Sequence, residues 1–232
     1  MQPLAWIFCF APIMFAPTLF AAETPDYFKR ISFHSPTNSG FRTASILSAG
    51  FTGATVTMSS NHEALNLNDV VFSVAHDWLD IRPHQEGRVT LVMKRQPQEH
   101  ELSNTLTLRN RKTGNTQHYP FVVNTWLIGE GTVDNNFSTA RERCQRMGGR
   151  LLTTREFREV SRKWFGLSKG LLSERYPQAR LFHPQAQAGG SFWVHEAKAL
   201  HLHTGIKSHQ RGMNTVCRYE YDDAPDLEDA AP

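Results

Sequence analysis

Gly149-Arg150-Leu151-Leu152-Thr153-Thr154-Arg155-Glu156-Phe157 is the stretch at which the chain changes its periodicity. Arg150-Leu151-Leu152 reads as a short extended link, and Thr153 or Thr154 as the N-cap of a helix that continues to about Phe165. Phe157, Val160 and Trp164 recur at spacings of three and four and mark its inward face. Arg155, Arg158 and Arg162 form a second stripe, partly offset by Glu156 and Glu159. Just upstream, Ser138 to Gly149 reads as another helix, capped by Ser138 and stopped by glycine, with Phe137, Ala140, Cys144 and Met147 on one face. Beyond Gly170 the chain is rich in loop signals, Pro177, Pro184 and Gly189-Gly190 among them. Strands return at Ser191–His195, Ala199–His203 and Thr215–Tyr219. Two helices early and a sheet late describe an α+β module over residues 127–221.

Upstream of that module the period is two. Tyr27–Phe33, Ala54–Met58, Val70–Val74, Val89–Met93, Thr105–Leu108 and His118–Trp126 concentrate β-branched and aromatic residues between turn signals. Lys112-Thr113-Gly114-Asn115 reads as a hairpin turn, and Leu106 and Leu108 share a face opposite Thr105 and Thr107. About seven strands in some 100 residues predict an all-β sandwich of immunoglobulin type, assigned to residues 23–126. Its histidines, His62, His76, His84 and His100, are scattered and read as solvated loop residues.

The 22 residues to Ala22 carry no charged side chain and end in Leu19-Phe20-Ala21-Ala22, the apolar core and small-residue exit of a secretory signal cut after Ala21 or Ala22. The competing reading is an uncleaved anchor, against which Pro12 and Pro17 argue. With Cys9 removed, the mature chain keeps Cys144 and Cys217 in an oxidising compartment, where they are expected to pair. Such a bridge closes a loop of about 70 residues and contributes roughly 4 kcal/mol in the chain-entropy picture. Zinc competes for a cysteine pair, but neither cysteine has a CxxC neighbour.

Charge divides the 232 residues further. Residues 23–126 hold ten Lys and Arg against nine Asp and Glu, residues 127–218 hold 15 against seven, and residues 219–232 hold none against six. The net charge of +3 therefore hides a neutral segment, a basic one and an acidic tail, of which 222–232 reads as disordered. Composition excludes a fully disordered chain, a collagen-like repeat, a polytopic membrane protein and a dense disulfide scaffold.

Ala140-x3-Cys144, Gly149-Arg150-Leu151-x-Thr153-x2-Glu156-Phe157, the tryptophan strand and the final Val216-Cys217-Arg218 together resemble a C-type-lectin-like domain. More specifically, they resemble the terminal module of intimin/invasin-type bacterial adhesins, where it follows an immunoglobulin-like domain directly. Gly53–Thr57, Trp78–Ile81, Gly87–Thr90 and Tyr119–Trp126 are similar to those immunoglobulin-like repeats, so the resemblance spans about residues 27–221. The exporting β-barrel of that family is missing, and the chain looks like a small exoprotein secreted beside a separate intimin-like translocator.

The resemblance implies an exported, adhesin-like binding protein, secreted or at the cell surface by way of the periplasm. Its partner would be a protein receptor on a cell surface or a cognate intimin-like outer-membrane translocator. Calcium-dependent sugar binding is not expected. The Glu-Pro-Asn, Gln-Pro-Asp and Trp-Asn-Asp strings of sugar-binding lectins do not occur, and Glu196 is the one acid in residues 190–218. Candidate partner contacts are Arg155, Arg158, Trp193, His195, His201 and His203. The three histidines are also the alternative zinc site, since 201 and 203 share a strand face. Without a metal, they would strengthen binding to an acidic partner as pH falls.

The runner-up function is a zinc-binding periplasmic protein or an enzyme. Gly-Arg-Leu-x-Thr-x2-Glu-Phe is also similar to the formylglycine-generating-enzyme family, whose active members use cysteines near the C-terminus; here both mature cysteines are expected in a bridge. No catalytic residue, cofactor, nucleic acid or stable membrane insertion after signal cleavage is expected.

Overall fold

The structure is a computed structural model that describes residues 31–35, 38–41, 44–60, 66–83, 88–164, 176, 179, 181, 191–196, 198–201 and 213–221. The expected signal, Cys9, the acidic segment 222–232, His183, His203 and His209 lie outside the described residues.

The first part is all strand. β1 (Ile31–Ser35), β2 (Asn38–Phe41), β4 (Thr55–Ser60), β6 (Leu79–Pro83) and β7 (Val89–Met93) form one antiparallel sheet in the order β2-β1-β4-β7-β6. β5 (Val70–Val74), β8 (Ser103–Asn110) and β9 (Thr116–Val122) form a second, in the order β5-β8-β9. The period-two pattern decides which side chains go inside: Val56 and Met58, Val89, Leu91 and Met93, and Leu106 and Leu108 are all buried. Phe33 of the first sheet meets Tyr119 of the second edge-on at 5.5 Å, so the two apolar faces share one core. The 111–114 turn works as its sequence suggests, with Gly114 at φ 75° and the Asn110 side-chain oxygen accepting from the amides of Lys112 and Thr113.

Three strands of these sheets differ from the sequence reading, the first being β2, which pairs with β1 at Asn38–Phe41 where no strand is expected. Leu79–Pro83 is a full strand although Asp80 and Arg82 give it a polar face; Leu79 is buried and the outward pair is tied by an ion contact at 3.0 Å. The single run His118–Trp126 is two elements, because Val123 and Asn124 leave the second sheet and bond instead to Leu102 and Ser48.

The strand that follows, β10 (Thr125–Ile128), joins the two parts. It runs parallel to the two-residue β3 (Ala49–Gly50) and antiparallel to the last strand, β16 (Cys217–Tyr219), which pairs in turn with β12 (Gly149–Leu151). The extended link of the sequence reading is therefore a strand. Gly149 is required there because a Cβ would collide with the backbone carbonyl of Arg218. A fourth sheet holds β11 (Val133–Asp134), β15 (Met213–Asn214), β13 (Ser191–Val194) and β14 (Lys198–His201).

Both predicted helices form. α1 (Phe137–Arg146) buries Ala140 and Cys144, but its N-cap is Asn136, whose side chain accepts from the amide and hydroxyl of Thr139; Ser138 lies within the first turn. α2 (Thr154–Lys163) is capped by Thr153 in a capping box with Glu156, and Phe157, Val160 and Trp164 are buried as expected.

Candidate binding surface

Cys144 of α1 and Cys217 of β16 are bridged, with Cα atoms 5.5 Å apart. Around the bridge, Ala140, Leu151, Trp193 and Met213 make a small apolar cluster. Beside it Asp134, 3% exposed, accepts two bonds of 3.0 Å from Arg143 and one of 2.5 Å from the Thr215 hydroxyl. Burial works to raise the Asp134 carboxyl, but the bonds from Arg143 and Thr215 and the charges of Arg143 and Arg146 outweigh it and hold it below the usual range. The Asp134 carbonyl accepts the Trp193 indole N–H at 3.0 Å. Trp193, expected as a partner contact, is thus a 9%-exposed core residue tied to this hub, which corrects the surface role read from the sequence.

A second ion cluster sits under the N-terminus of α2. Arg150 grips Glu156 with two bonds of 2.6 and 2.8 Å, Arg218 donates to the same carboxylate, and the Thr153 amide adds a bond of 2.8 Å. Arg150 also pairs with Glu220 at 2.9 Å. Burial opposes ionisation of Glu156, yet the Arg150 and Arg218 guanidiniums and the Thr153 amide bring its carboxyl down to about 2.

The turn after β13 closes on this helix end. Glu196 accepts from the Thr154 amide at 3.0 and 3.2 Å and from its hydroxyl at 3.2 Å, while the His195 amide bonds the Leu152 carbonyl at 2.9 Å. A carboxylate at a helix N-terminus meets free amides and the positive end of the helix dipole. Burial raises the Glu196 carboxyl less than those bonds and the neighbouring His195 lower it, so it lies below its ordinary value. The sequence carried a clue to this role in Glu196 being the one acid across residues 190–218.

These contacts place the expected residues as follows. Arg155, its side chain 90% exposed and paired with Glu159 at 3.1 Å, and exposed Arg158 stand on the outer face of α2. Exposed His195 is brought to the N-terminal edge of the same helix by the Glu196 anchor. His201 pairs through its backbone with Ser191, at the end of the hairpin away from His195, and its side chain, like His203, lies outside the described residues. Among the described residues, no three His, Cys, Asp or Glu side chains come together around one metal position.

A feature that the sequence reading missed lies where the two parts of the chain meet. A groove of about 320 Å³ has Asn124 and Thr125 on one wall, Arg155, Glu159 and Lys163 of α2 on the other, and Arg218 beside them. Half-buried Lys163 donates to the Ser48 hydroxyl at 2.5 Å, and burial pushes its ammonium below the ordinary lysine value. Trp164 donates its indole N–H to the Ala49 carbonyl at 2.9 Å across the same seam.

No protein-family model matches the chain. No curated protein matches it either. Among solved structures, the chain is similar to the NMR representative structure of intimin-190 from enteropathogenic E. coli, at 12% identity and a TM-score of 0.43, over 82% of this chain and 96% of that one. No helix among the described residues is long and apolar enough to cross a membrane.

Proposed function

We propose that this chain is an exported, adhesin-like binding protein: an immunoglobulin-like sandwich over residues 23–126 presenting a C-type-lectin-like module over 127–221. The module recognises a protein or cell-surface partner of acidic character without calcium. The observation that carries the reading is how the module distributes its charge. Arg143, Arg150 and Arg218 are consumed by Glu130, Asp134, Glu156 and Glu220, so they shape the module rather than face a partner. Arg155, Arg158 and His195 remain on one exposed helix face and its edge, on a support fixed by the Glu196 anchor and the disulfide. The engagement of Asp134, Glu156 and Glu196 by cations and amides supports calcium independence, since calcium needs six or more free oxygen donors. The order of motifs resembling intimin/invasin-type modules supports the adhesin class.

The test is fractionation of the producing bacterium followed by binding of the purified chain to host cells and to co-exported outer-membrane proteins. Arg155→Glu with Arg158→Glu is expected to abolish binding while leaving the thermal unfolding midpoint within about 2 °C, since surface changes of this kind cost little stability. Confinement to the periplasm with no affinity for either class of partner would sink the proposal.

A further inference from the structure

We propose that a second groove, between residues 96–99 and 219–221, is a binding site for an arginine side chain on an extended segment of a partner protein. Its volume is about 430 Å³. Two carboxylates, Glu99 and Glu220, and two tyrosines, Tyr219 and Tyr221, line it, with no Lys, Arg or His among the lining residues.

Both walls are fixed before anything binds. On the first, Glu101 accepts from the Gln98 amide at 2.8 Å and holds Arg95 through bonds of 2.6 and 2.7 Å, while Arg95 donates to the Gln96 carbonyl at 3.1 Å. On the second, Tyr219 pairs with Gly149 in the β12–β16 ladder, and the Glu220 amide bonds the Gly148 carbonyl at 3.2 Å. Gly148, at φ 77°, lies under the Tyr219 ring, where a Cβ would come within 3.1 Å of a ring carbon.

The groove offers ring face and carboxylate. Tyr219 and Tyr221 meet edge-on at 5.0 Å. Tyr221 is half-buried, yet its hydroxyl is shut away from water and makes no hydrogen bond of ordinary geometry, so what it leaves accessible is its ring. Burial, the neighbouring Tyr219 and the charge of Glu101 push its ionisation upward against the effect of the Gln96 side chain beside it, which keeps the ring a neutral phenol. Such a ring beside two carboxylates attracts a cation. A planar guanidinium can stack on the ring and bond a carboxylate through two N–H groups, which an ammonium cannot do.

The cations next to the walls are committed elsewhere. Arg95 is held by Glu101 and Asp77, and Arg150 by Glu156 and Glu220. The contact of Glu220 with Arg150, at 2.9 Å, does not exhaust it, because its side chain is 57% exposed and a carboxylate has room for about four donors. Glu156 shows in the same protein that one carboxylate holds two guanidiniums, those of Arg150 and Arg218. The groove shares no residue with the Arg155, Arg158 and His195 face, so either site can fail without the other.

The experiment titrates the full chain with acetyl-Gly-Arg-Gly-amide and with its lysine and glutamate counterparts, read by the NMR signals of the Tyr219 and Tyr221 rings. The arginine peptide is expected to shift both rings with a Kd on the order of 1 mM, the lysine peptide to bind at least about threefold more weakly, and the glutamate peptide to leave them in place. Glu99→Gln with Glu220→Gln, and separately Tyr221→Leu, should each weaken arginine binding about tenfold, whereas Tyr221→Phe should keep it to within about twofold because the hydroxyl is not used. Arginine peptide that leaves the rings in place, binds no more tightly than the glutamate peptide, or binds the double Gln form unchanged overturns the proposal. The double Gln form keeps both tyrosines, so it decides the matter even if Tyr221→Leu folds poorly.

Discussion

Replacing Glu156 by Gln removes one negative charge from the centre of the second part of the chain and little else, because the two side chains have nearly the same shape. The carboxylate is 16% exposed and receives bonds from Arg150, Arg218 and the Thr153 amide and hydroxyl. Its pKa falls from 4.5 to about 2, burial opposing and those donors more than compensating. A lowered carboxylate stabilises the fold above its unfolded value, and that stabilisation is lost as pH falls through the folded value, so the window runs from about 4.5 down to about 2. At ~1.36 kcal/mol per unit the contribution is about 3 kcal/mol at pH 7, about 1.4 at pH 3 and under about 0.5 at pH 2. Urea unfolding of the unaltered and Glu156→Gln chains at these three pH values measures it. The unaltered chain also loses stability in acid through Glu101 and Asp134, but those groups are common to both proteins and cancel in the difference. A gap below about 1 kcal/mol at pH 7, or one that stays constant down to pH 2, would refute the account of Glu156 as the electrostatic centre beneath α2.

Three further outcomes are expected. Reducing the Cys144–Cys217 bridge, which spans 73 residues, should cost about 4 kcal/mol and lower the unfolding midpoint by roughly 8–16 °C; a fall under about 3 °C in calorimetry contradicts it. Gly149→Ala should destabilise by more than about 2 kcal/mol because its Cβ meets the Arg218 backbone, whereas Gly114→Ala, at φ 75° in open space, should cost only about 1 kcal/mol; equal unfolding free energies for the two would be inconsistent with the strand pairing. Trp164→Phe removes the indole donor to the Ala49 carbonyl and part of a fully buried ring, so a loss of about 2 kcal/mol or more and faster amide exchange across Ala49–Gly50 and Thr125–Trp126 are expected, and unchanged exchange there would count against coupling through this bond.

Much of this architecture was legible before any coordinates, for reasons that differ by element. The spacing of Phe157, Val160 and Trp164 identifies α2 because one helix face must be apolar to bury. The bridge was legible because only two cysteines remain once the expected signal is removed. What escaped the sequence depends on partners distant along the chain. The β3 strand is two residues long and has no pattern of its own; it exists because β10 lies alongside. The cap of α1 moved to Asn136 because Asn and Ser compete for the same role and only the backbone entry angle decides between them. Trp193 on a short strand reads equally well as a surface anchor or a core residue, and the Asp134 carbonyl that receives its N–H is 59 residues away. Lys163 gives no local sign of its burial, since Ser48 lies 115 residues upstream.

The seam between the two parts argues against a flexible hinge. Trp126 of β10 stacks edge-on with Trp78 of the first part at 6.0 Å, while its neighbour Leu127 pairs with Arg218 of the second, so one strand is packed into both. Phe51 meets Trp164 at 5.1 Å and Tyr176 at 5.2 Å, burying aromatic surface from both parts in one continuous core. Separate domains joined by a linker are expected to move relative to one another unless their interface is large and apolar. Here α2 is fastened to the first part of the chain by the Trp164 indole and the Lys163 ammonium, about one and a half turns beyond Arg158, which points outward five and six residues earlier. The arginine face and the contacts to Ser48 and Ala49 thus stand on one helix, whose C-terminal end is packed into the first part of the chain.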